Sequence, residues 1–569
     1  MTSKKTAILG LNSAGFNTSS ALLLDGTPIF AVEEERMVRE KRTRRFPNAG
    51  IRHGLKLAGL DIGDLDGIAI GWNPAINLEA FGAAYSGRAR FLGEIFYNVP
   101  GGLMQLAKRP AGDRAEQIIH LDGGKKLHIH YIRHHIAHAG SYFISPFDEA
   151  AVLTLDAFGE KECVHFAHGK GNKLESLWTQ EFPHSLGSFY STFTAYLGFA
   201  AQSDEWKLMG ASAFGNAARY VDRVRSLVSF KDDGFELDLS CFNHYQFHRP
   251  GLYTAKMEQV LGIAPATDGD NLGQDHYDLA AAAQAVFEEI YVHLLTRLHA
   301  RTGCRNVVLS GGSTLNSLAN GKVVANTPFA DVFIPPAPDD AGCAMGAASY
   351  LYHHIMDRPR TYVMRSNYLG PSYSDTEISE LLTSLGIRHA EQADPCRTAA
   401  EMVAAGKVIG WFQGGLEFGD RALGNRSILA DPRDAAMKDR VNALVKYREG
   451  FRPFAPAILA EKVDEYFVGA APTPFMEKVF PIREDKRAIL PAVTHADGTG
   501  RLQTVGAQQN PLFHRLISAF GEITGVPVVM NTSFNVKGEP MVCSPQDAVR
   551  TFFSSGLDAL VIGRYLITK

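Results

Sequence analysis

Apolar residues near the start of the chain fall into short runs separated by polar loops. Ala7 to Leu11 is an apolar run of strand length, followed by a polar loop and then Ala21-Leu-Leu-Leu24. Asp25-Gly26 is a tight-turn signal, and Ile29 to Glu33 reads as the return strand. A similar phrase recurs at Ala151-Val-Leu-Thr-Leu-Asp156, with a loop containing Gly159 and a return strand near Cys163 to His168. Two such strand–polar loop–strand units predict an internal duplication. A third run, Asn306-Val-Val-Leu-Ser310, leads into Gly311-Gly312 and a polar helix start at Asn316. Glycines there let a ligand approach the backbone, and the helix N-terminus offers free N–H groups to phosphate. A plain strand-to-helix turn is the alternative.

The pattern breaks down between Met356 and Ser374 into Arg, Pro, Tyr and Gly, and the domain boundary is placed there, at 358/359. Beyond it, helix-like stretches alternate with strands such as Val408 to Phe412 and Val526 to Met530. This predicts a mixed α/β unit of roughly 200 residues. The 569 residues exceed one ordinary core, and 45% hydrophobic with 21% charged residues is a globular balance. A net charge of −4 argues against general nucleic-acid binding. Six scattered cysteines form no C-x-x-C pair, which suits a reducing compartment. With no signal-like N-terminus and no apolar run long enough to span a membrane, the expected location is the cytoplasm.

His134-His135-Ile136-Ala137-His138 is the first chemical constellation. On a helix, His134 and His138 share one face, a spacing that lets two imidazoles bind one metal. Asp156, at a strand end, and Asp340, before an apparent helix, could complete the set. Two His plus carboxylates suit iron, manganese or zinc, and the residues alone do not choose. Lys207-Leu-Met-Gly210 places a lysine beside glycine, within reach of phosphate oxygens. The C-terminal unit holds a denser set: Gly419 to Ser427 with Arg421, then Lys446 and Arg452, then Arg501, then Asn531-Thr-Ser533-Phe-Asn535. Arginine makes paired, charge-assisted bonds to phosphate, and Asn and Ser add short polar contacts, so the group predicts an anion pocket.

In this order the phrases resemble the NodU/CmcH carbamoyltransferase family, which includes tobramycin and cephalosporin O-carbamoyltransferases. The resemblance runs nearly end to end. It is carried by Gly10-Leu-Asn12, Glu33-Glu-Glu-Arg36, His134 to His138, Lys207 to Gly210, Asn320-Gly-Lys322, Gly419 to Ser427, Arg452-Pro-Phe-Ala-Pro456 and Asn531 to Asn535. The paired hairpins are typical of actin-like ATPase domains. The resemblance implies an α/β fold: an actin-like (ASKHA) N-terminal domain, 1–358, with duplicated β-hairpin subdomains, and a YrdC-like α/β C-terminal domain, 359–569. It further implies that Arg421, Lys446, Arg452, Arg501, Asn531 and Ser533 bind carbamoyl phosphate, which reacts there with ATP to give carbamoyl adenylate and pyrophosphate. Lys207, Gly210, Gly311, Gly312 and Asn316 would line the nucleotide. By the resemblance, His134, His138, Asp156 and Asp340 would hold an iron-type divalent metal, Fe(II), with Mg accompanying ATP. The carbamoyl group would pass to a hydroxyl of a small natural-product acceptor, as in antibiotic biosynthesis.

At one position the chain departs from the family. The first loop usually carries His-Asp, with the His placed to take a proton from the attacking hydroxyl. Here Asn17 stands in that place, and asparagine cannot act as a base near neutral pH. Either a metal suffices, or another histidine such as His135 substitutes, or the acceptor is an amine. An actin-like metabolite kinase would not need the Arg421 to Ser533 set, a tRNA-modifying enzyme would want a basic stripe, and a binder without catalysis rests on Asn17 alone. Acceptor contacts are expected near Trp72-Asn73-Pro74 and between Tyr85 and Tyr97. A homodimer is the expected assembly.

Overall fold

The computed structural model describes residues 5–15, 17–74, 113–246, 251–446 and 454–569. Arg452 and the stretch from Tyr85 to Tyr97 lie outside the described residues.

Two sheets in the first 350 residues repeat one topology. In the first, the edge-to-edge order is Thr27–Glu33, Ser19–Leu24, Ala7–Asn12, Gly67–Ile70, Lys126–Ile132 and Arg114–His120. Its first three strands are antiparallel, and Ala7–Asn12 then pairs parallel with Gly67–Ile70. In the second, Lys173–Glu181, Glu162–Lys170 and Glu149–Leu155 are antiparallel. Asn306–Ser310 and Asp331–Phe333 then add in parallel. The duplicated hairpin phrases are therefore the matching first parts of two sheets.

Between the sheets lies a layer of two short helices. Cys343–Tyr350 is Cys-Ala-Met-Gly-Ala-Ala-Ser-Tyr, and every residue in it is buried. Its small side chains let it pack closely on Ala7–Asn12 and its neighbours, while His134–Ala139 packs beside it, against the second sheet. The 29-residue helix Gln274–Thr302 covers the second sheet's other face. Parallel strands put their carboxyl ends side by side, and Asn12, Gly71, Asp156 and Gly311 all sit at or just past such ends. In open α/β sheets this is where ligands bind.

An eight-stranded sheet organises the rest, in the order Ala390–Glu391, Tyr565–Thr568, Ala559–Ile562, Ile409–Phe412, Arg426–Ala430, Val528–Ser533, Ala455–Leu459 and Gln503–Val505. Its strands alternate with a period of two. Ile409, Trp411, Leu429 and Val529 face helices Pro395–Ala404 and Pro511–Thr524. Phe412, Ile428, Val528 and Met530 face Asp375–Ser384 and Pro545–Phe553. From 357 to 374 the chain forms neither helix nor strand, until Ser374 caps the helix Asp375–Ser384 in a capping box with Glu377. Among the described residues, no helix is long and apolar enough to cross a membrane.

Candidate functional site

His134 and His138 stand one turn apart on a helix whose six residues are all buried. The buried Glu160 carboxylate accepts the His134 N–H (3.0 Å), fixing the start of that helix beneath the cleft. The two Nε2 atoms lie 3.1 Å apart. Asp156 Oδ2 is 3.1 Å from His138 Nε2 and 3.5 Å from His134 Nε2, and Asp340 Oδ1 is 3.7 and 3.5 Å from the same atoms. One donor atom from each of the four residues lies within 4.8 Å of all the others.

The far sides of the rings orient them. His134 Nδ1 faces the Gly71 carbonyl at 3.3 Å, which can only accept, so that nitrogen carries the hydrogen. His138 Nδ1 faces Ser310 Oγ at 3.4 Å, and that hydroxyl donates to the Pro338 carbonyl at 3.2 Å. Both rings thus aim an Nε2 lone pair at one point, the tautomer a metal-ligating histidine adopts. Two facing lone pairs beside two carboxylates fit a cation, and the donor set suits a divalent transition metal. Without one, a proton takes that place. Burial opposes charging either ring, but the negative charge of a Cys343 thiolate and hydrogen bonds to Asp156 and Asp340 hold both histidines well above the usual range. Burial likewise works against ionised Asp156, and its hydrogen bonds to His134 and His138 outweigh it, leaving Asp156 well below the usual carboxylate range.

The expectation that His135 substitutes as a base is corrected by the geometry. Adjacent helix residues point in different directions, and His135 turns into the second sheet. Its Nδ1 meets Thr154 Oγ1 at 2.5 Å, its Nε2 meets the Glu162 carbonyl at 3.1 Å, and burial pushes its basicity well down. Gly311 is corrected too. Its N–H donates to the Pro338 carbonyl at 2.6 Å, and at a φ of +96° an added Cβ would lie 2.1 Å from Leu155 O. It is a packing glycine rather than a ligand-facing one.

A single cavity of about 1810 Å³ connects most of the remaining residues. On the first side it is lined by Asn17, His134, Asp156, Lys207, Gly210, Gly312, Asn316 and Asp340. On the other it is lined by Arg421, Lys446, Arg501, Asn531 and Ser533. Lys207 Nζ sits 3.1 Å from Asp204 Oδ2 and 5.4 Å over the Phe199 ring. Asn316 is built into the wall: its Oδ1 caps the helix Ser317–Gly321 through the Ala319 N–H (3.1 Å), and its amide pairs with Gln284. Lys446 is 1% exposed and donates to Ser533 Oγ (3.2 Å) and Asn535 Oδ1 (2.7 Å). Asn531 Nδ2 donates to Gln503 Oε1 (2.8 Å), while its buried Oδ1 has no hydrogen-bond partner among the described residues. Arg501 Nε reaches across to Ser317 Oγ (3.2 Å), so the cavity's two sides touch.

Asn17 stands at the cleft with a left-handed φ of 55°. Its Nδ2 donates to Asp339 Oδ2 at 2.9 Å, and its buried Oδ1 has no hydrogen-bond partner among the described residues. Asp339 is a residue that sequence reasoning missed. Burial and the nearby Asp420 charge push its carboxyl well up. The Asp339-Asp340 doublet was its only signal. Glu160, Ser310 and Cys343 were also missed. Each acts through contacts between distant segments and carries no local pattern.

Family models described as Carbamoyltransferase N-terminus and Carbamoyltransferase C-terminus match residues 7–349 and 400–569. The nodulation protein NolNO of Sinorhizobium fredii is 38% identical over 561 residues, covering 97% of this chain and 78% of the relative. A 3'-hydroxymethylcephem-O-carbamoyltransferase of Amycolatopsis lactamdurans is 37% identical over 378 residues, 65% of this chain and 66% of that one. Among solved structures, component A of the Acidaminococcus fermentans (R)-2-hydroxyglutaryl-CoA dehydratase aligns with 61% of this chain and 98% of its own at 13% identity, with a TM-score of 0.32. That overlap is too slight to carry an argument. The sequence matches extend over both halves of the cavity, and the chain belongs to the NodU/CmcH carbamoyltransferase family.

Proposed function

We propose that the protein is an ATP-dependent carbamoyltransferase that makes carbamoyl adenylate at the Arg421–Ser533 end of the cavity and transfers its carbamoyl group to an acceptor hydroxyl at the His134–Asp340 end. The observation that carries this reading is one continuous cavity with a cation-type site at one end and an anion-type site at the other. The repeated sheet order supports an actin-like first domain, 1–358. The second domain, 359–569, is read as YrdC-like.

Mass balance sets the first half-reaction. Carbamoyl phosphate takes up water and releases phosphate, and the resulting carbamate oxygen attacks the α-phosphorus of ATP, expelling pyrophosphate. Arg421, Lys446, Arg452, Arg501, Asn531 and Ser533 would hold the anions, and an enclosed route keeps the hydrolysis-prone mixed anhydride from open water. In the second half-reaction the acceptor oxygen attacks the carbamoyl carbon, the bond from that carbon to the AMP phosphate oxygen breaks so that AMP leaves, and the hydroxyl proton passes to solvent water. Lys207, Gly210, Gly312 and Asn316 would line the adenylate. His134, His138, Asp156 and Asp340 would hold a divalent metal, read as iron, which when bound supplies Lewis-acid polarisation of a carbonyl. Asn17, anchored to Asp339, would orient the acceptor. The relative named an O-carbamoyltransferase supports a hydroxyl acceptor.

The test is incubation with carbamoyl phosphate and ATP. Pyrophosphate and carbamoyl adenylate are the expected products. ADP would indicate a kinase and overturn the reading.

A further inference from the structure

Glu33-Glu-Glu-Arg36 is given no role in the chemistry above, although Glu35 and Arg36 line the cavity, and all four charged residues are buried, at 3, 2, 8 and 4% exposure. Charges are buried only where partners compensate for lost water. Glu34 accepts the N–H groups of Ala49 and Gly50 at 2.9 Å each, within its own domain. Glu35 accepts the Arg42 N–H at 2.7 Å and lies 3.2 Å from Arg36 Nε. Glu33 and Arg36 reach elsewhere. Glu33 Oε1 accepts the Gly419 N–H at 2.8 Å, and Arg36 Nη2 donates to the Gly419 carbonyl at 3.0 Å.

Both backbone polar groups of Gly419 are therefore held by side chains nearly 400 positions earlier in the chain. Phe418 is held in the same two-sided way by Asn367, at 2.8 Å for each bond. On its other side Gly419 has no spare room: at a φ of +114°, an added Cβ would lie 2.2 Å from Pro336 O. The glycine is pinched between the Glu33–Arg36 pair and the loop that leads to Asp339-Asp340. The next two residues, Asp420 and Arg421, line the cavity. From within the loop, Glu417 Oε1 accepts the N–H groups of Leu423, Asn425 and Arg426 at 2.8, 2.8 and 3.1 Å.

We infer that Glu33 and Arg36 are positioning residues for the anion pocket: from the half of the molecule that carries the His134–Asp340 cluster they set where Asp420 and Arg421 stand. The inference rests on the proposed role of Arg421 in binding carbamoyl phosphate. A defect in this clamp then appears in the half-reaction on the far side of the domain seam, while the cation site beside it stays intact.

Arg36→Lys keeps a positive charge for Glu33 and Glu35 but removes the guanidinium's reach and fork. Glu33→Gln keeps an acceptor for the Gly419 N–H. The measurement is pyrophosphate release against carbamoyl phosphate concentration at saturating ATP, with melting temperature and metal content recorded alongside. Arg36→Lys is expected to raise KM for carbamoyl phosphate about 10- to 100-fold, the scale of a small misplacement at a reacting site. Its metal content should equal that of wild type, and Glu33→Gln should stay closer to wild type than Arg36→Lys. A wild type that releases no pyrophosphate overturns the adenylation reading and the inference with it. A wild type that does, beside an Arg36→Lys of unchanged KM, overturns the clamp alone. So does a parallel loss of metal and of both half-reactions. If Arg36→Lys does not fold, Gly419→Ala perturbs the same contact from the Pro336 side, with the same expected rise and the same contrary result.

Discussion

At the His134–Asp340 end of the cavity, four acceptor atoms converge with no donor between them among the described residues, whereas at the Lys446–Ser533 end the cation is already hydrogen-bonded to the 533–535 segment. His134 and His138 face each other at 3.1 Å across two carboxylates, an arrangement that repels itself until a proton or a metal enters. Lys446 instead holds oxygens of Ser533 and Asn535, so an incoming anion must exchange with partners that are satisfied. One end is prearranged for its guest. The other is prearranged around itself, and its ligand competes with internal bonds. The same kind of substitution should therefore act differently at the two ends.

The largest effect is expected at the converging end. His138→Ala removes one of four donors, and the loss of bound metal should exceed the roughly 10–100-fold cost typical of an outer-shell partner. Elemental analysis of purified protein checks this, and equal metal in both forms would break the comparison.

At the anion end, Lys446→Met should raise KM for carbamoyl phosphate strongly, since truncating one partner of a buried charged contact costs roughly 2–5 kcal/mol. Metal content should not change. Circular dichroism separates this from unfolding, because Ser533 and Asn535 also lose a partner.

pH sharpens the contrast. A metal displaces the proton that the raised histidines hold, so metal affinity should fall as pH falls. The onset should lie above about 6.5, the ordinary histidine value. Asp156 is depressed and stays ionised through that range. In metal-free protein the sign reverses. Stability gained from the raised histidines is fully present below the unfolded-state value and is lost as pH rises through their folded values. Metal-binding titrations and thermal melts across pH measure both slopes, and a metal affinity flat from pH 6 to 8 would contradict the assignment.

The smallest effect belongs to Asn17. If it only orients the acceptor, Asn17→Ala should cost about 0.5–1.5 kcal/mol in transfer from preformed adenylate. Asn17→His should match or exceed wild type on a hydroxyl acceptor, since a positioned base contributes about 10²–10⁴-fold. Loss of activity in that variant would point to a different nucleophile, such as an amine.

How much of this was legible in the sequence depends on the range of each interaction. The hairpins were readable because a strand announces itself within six residues, and Ala7–Asn12 with Ser19–Leu24 follows the apolar runs closely. The spacing of His134 and His138 is a helical repeat and needs no tertiary knowledge. Asp156 and Asp340 were readable as element ends, but their meeting with the histidines is a product of two sheets closing on one helix layer. His135 was misread because sequence adjacency hides the turn of a helix, and Gly311 because a glycine pair does not say which member packs. Asp339 had only the Asp339-Asp340 doublet, and Glu160 and the Glu33–Gly419 contact had no signal, for each of the two depends on which distant backbone group the fold delivers to a side chain.

If the cavity's two ends perform separate half-reactions, substitutions at each end should fail at different steps. The direct test measures pyrophosphate release and acceptor carbamoylation side by side in His134→Ala and Lys446→Met. His134→Ala should still release pyrophosphate from carbamoyl phosphate and ATP but fail to carbamoylate. Lys446→Met should be impaired in pyrophosphate release yet carbamoylate the acceptor when given preformed carbamoyl adenylate. If both variants lose the same half-reaction, the two ends act as one site and the division between them is contradicted.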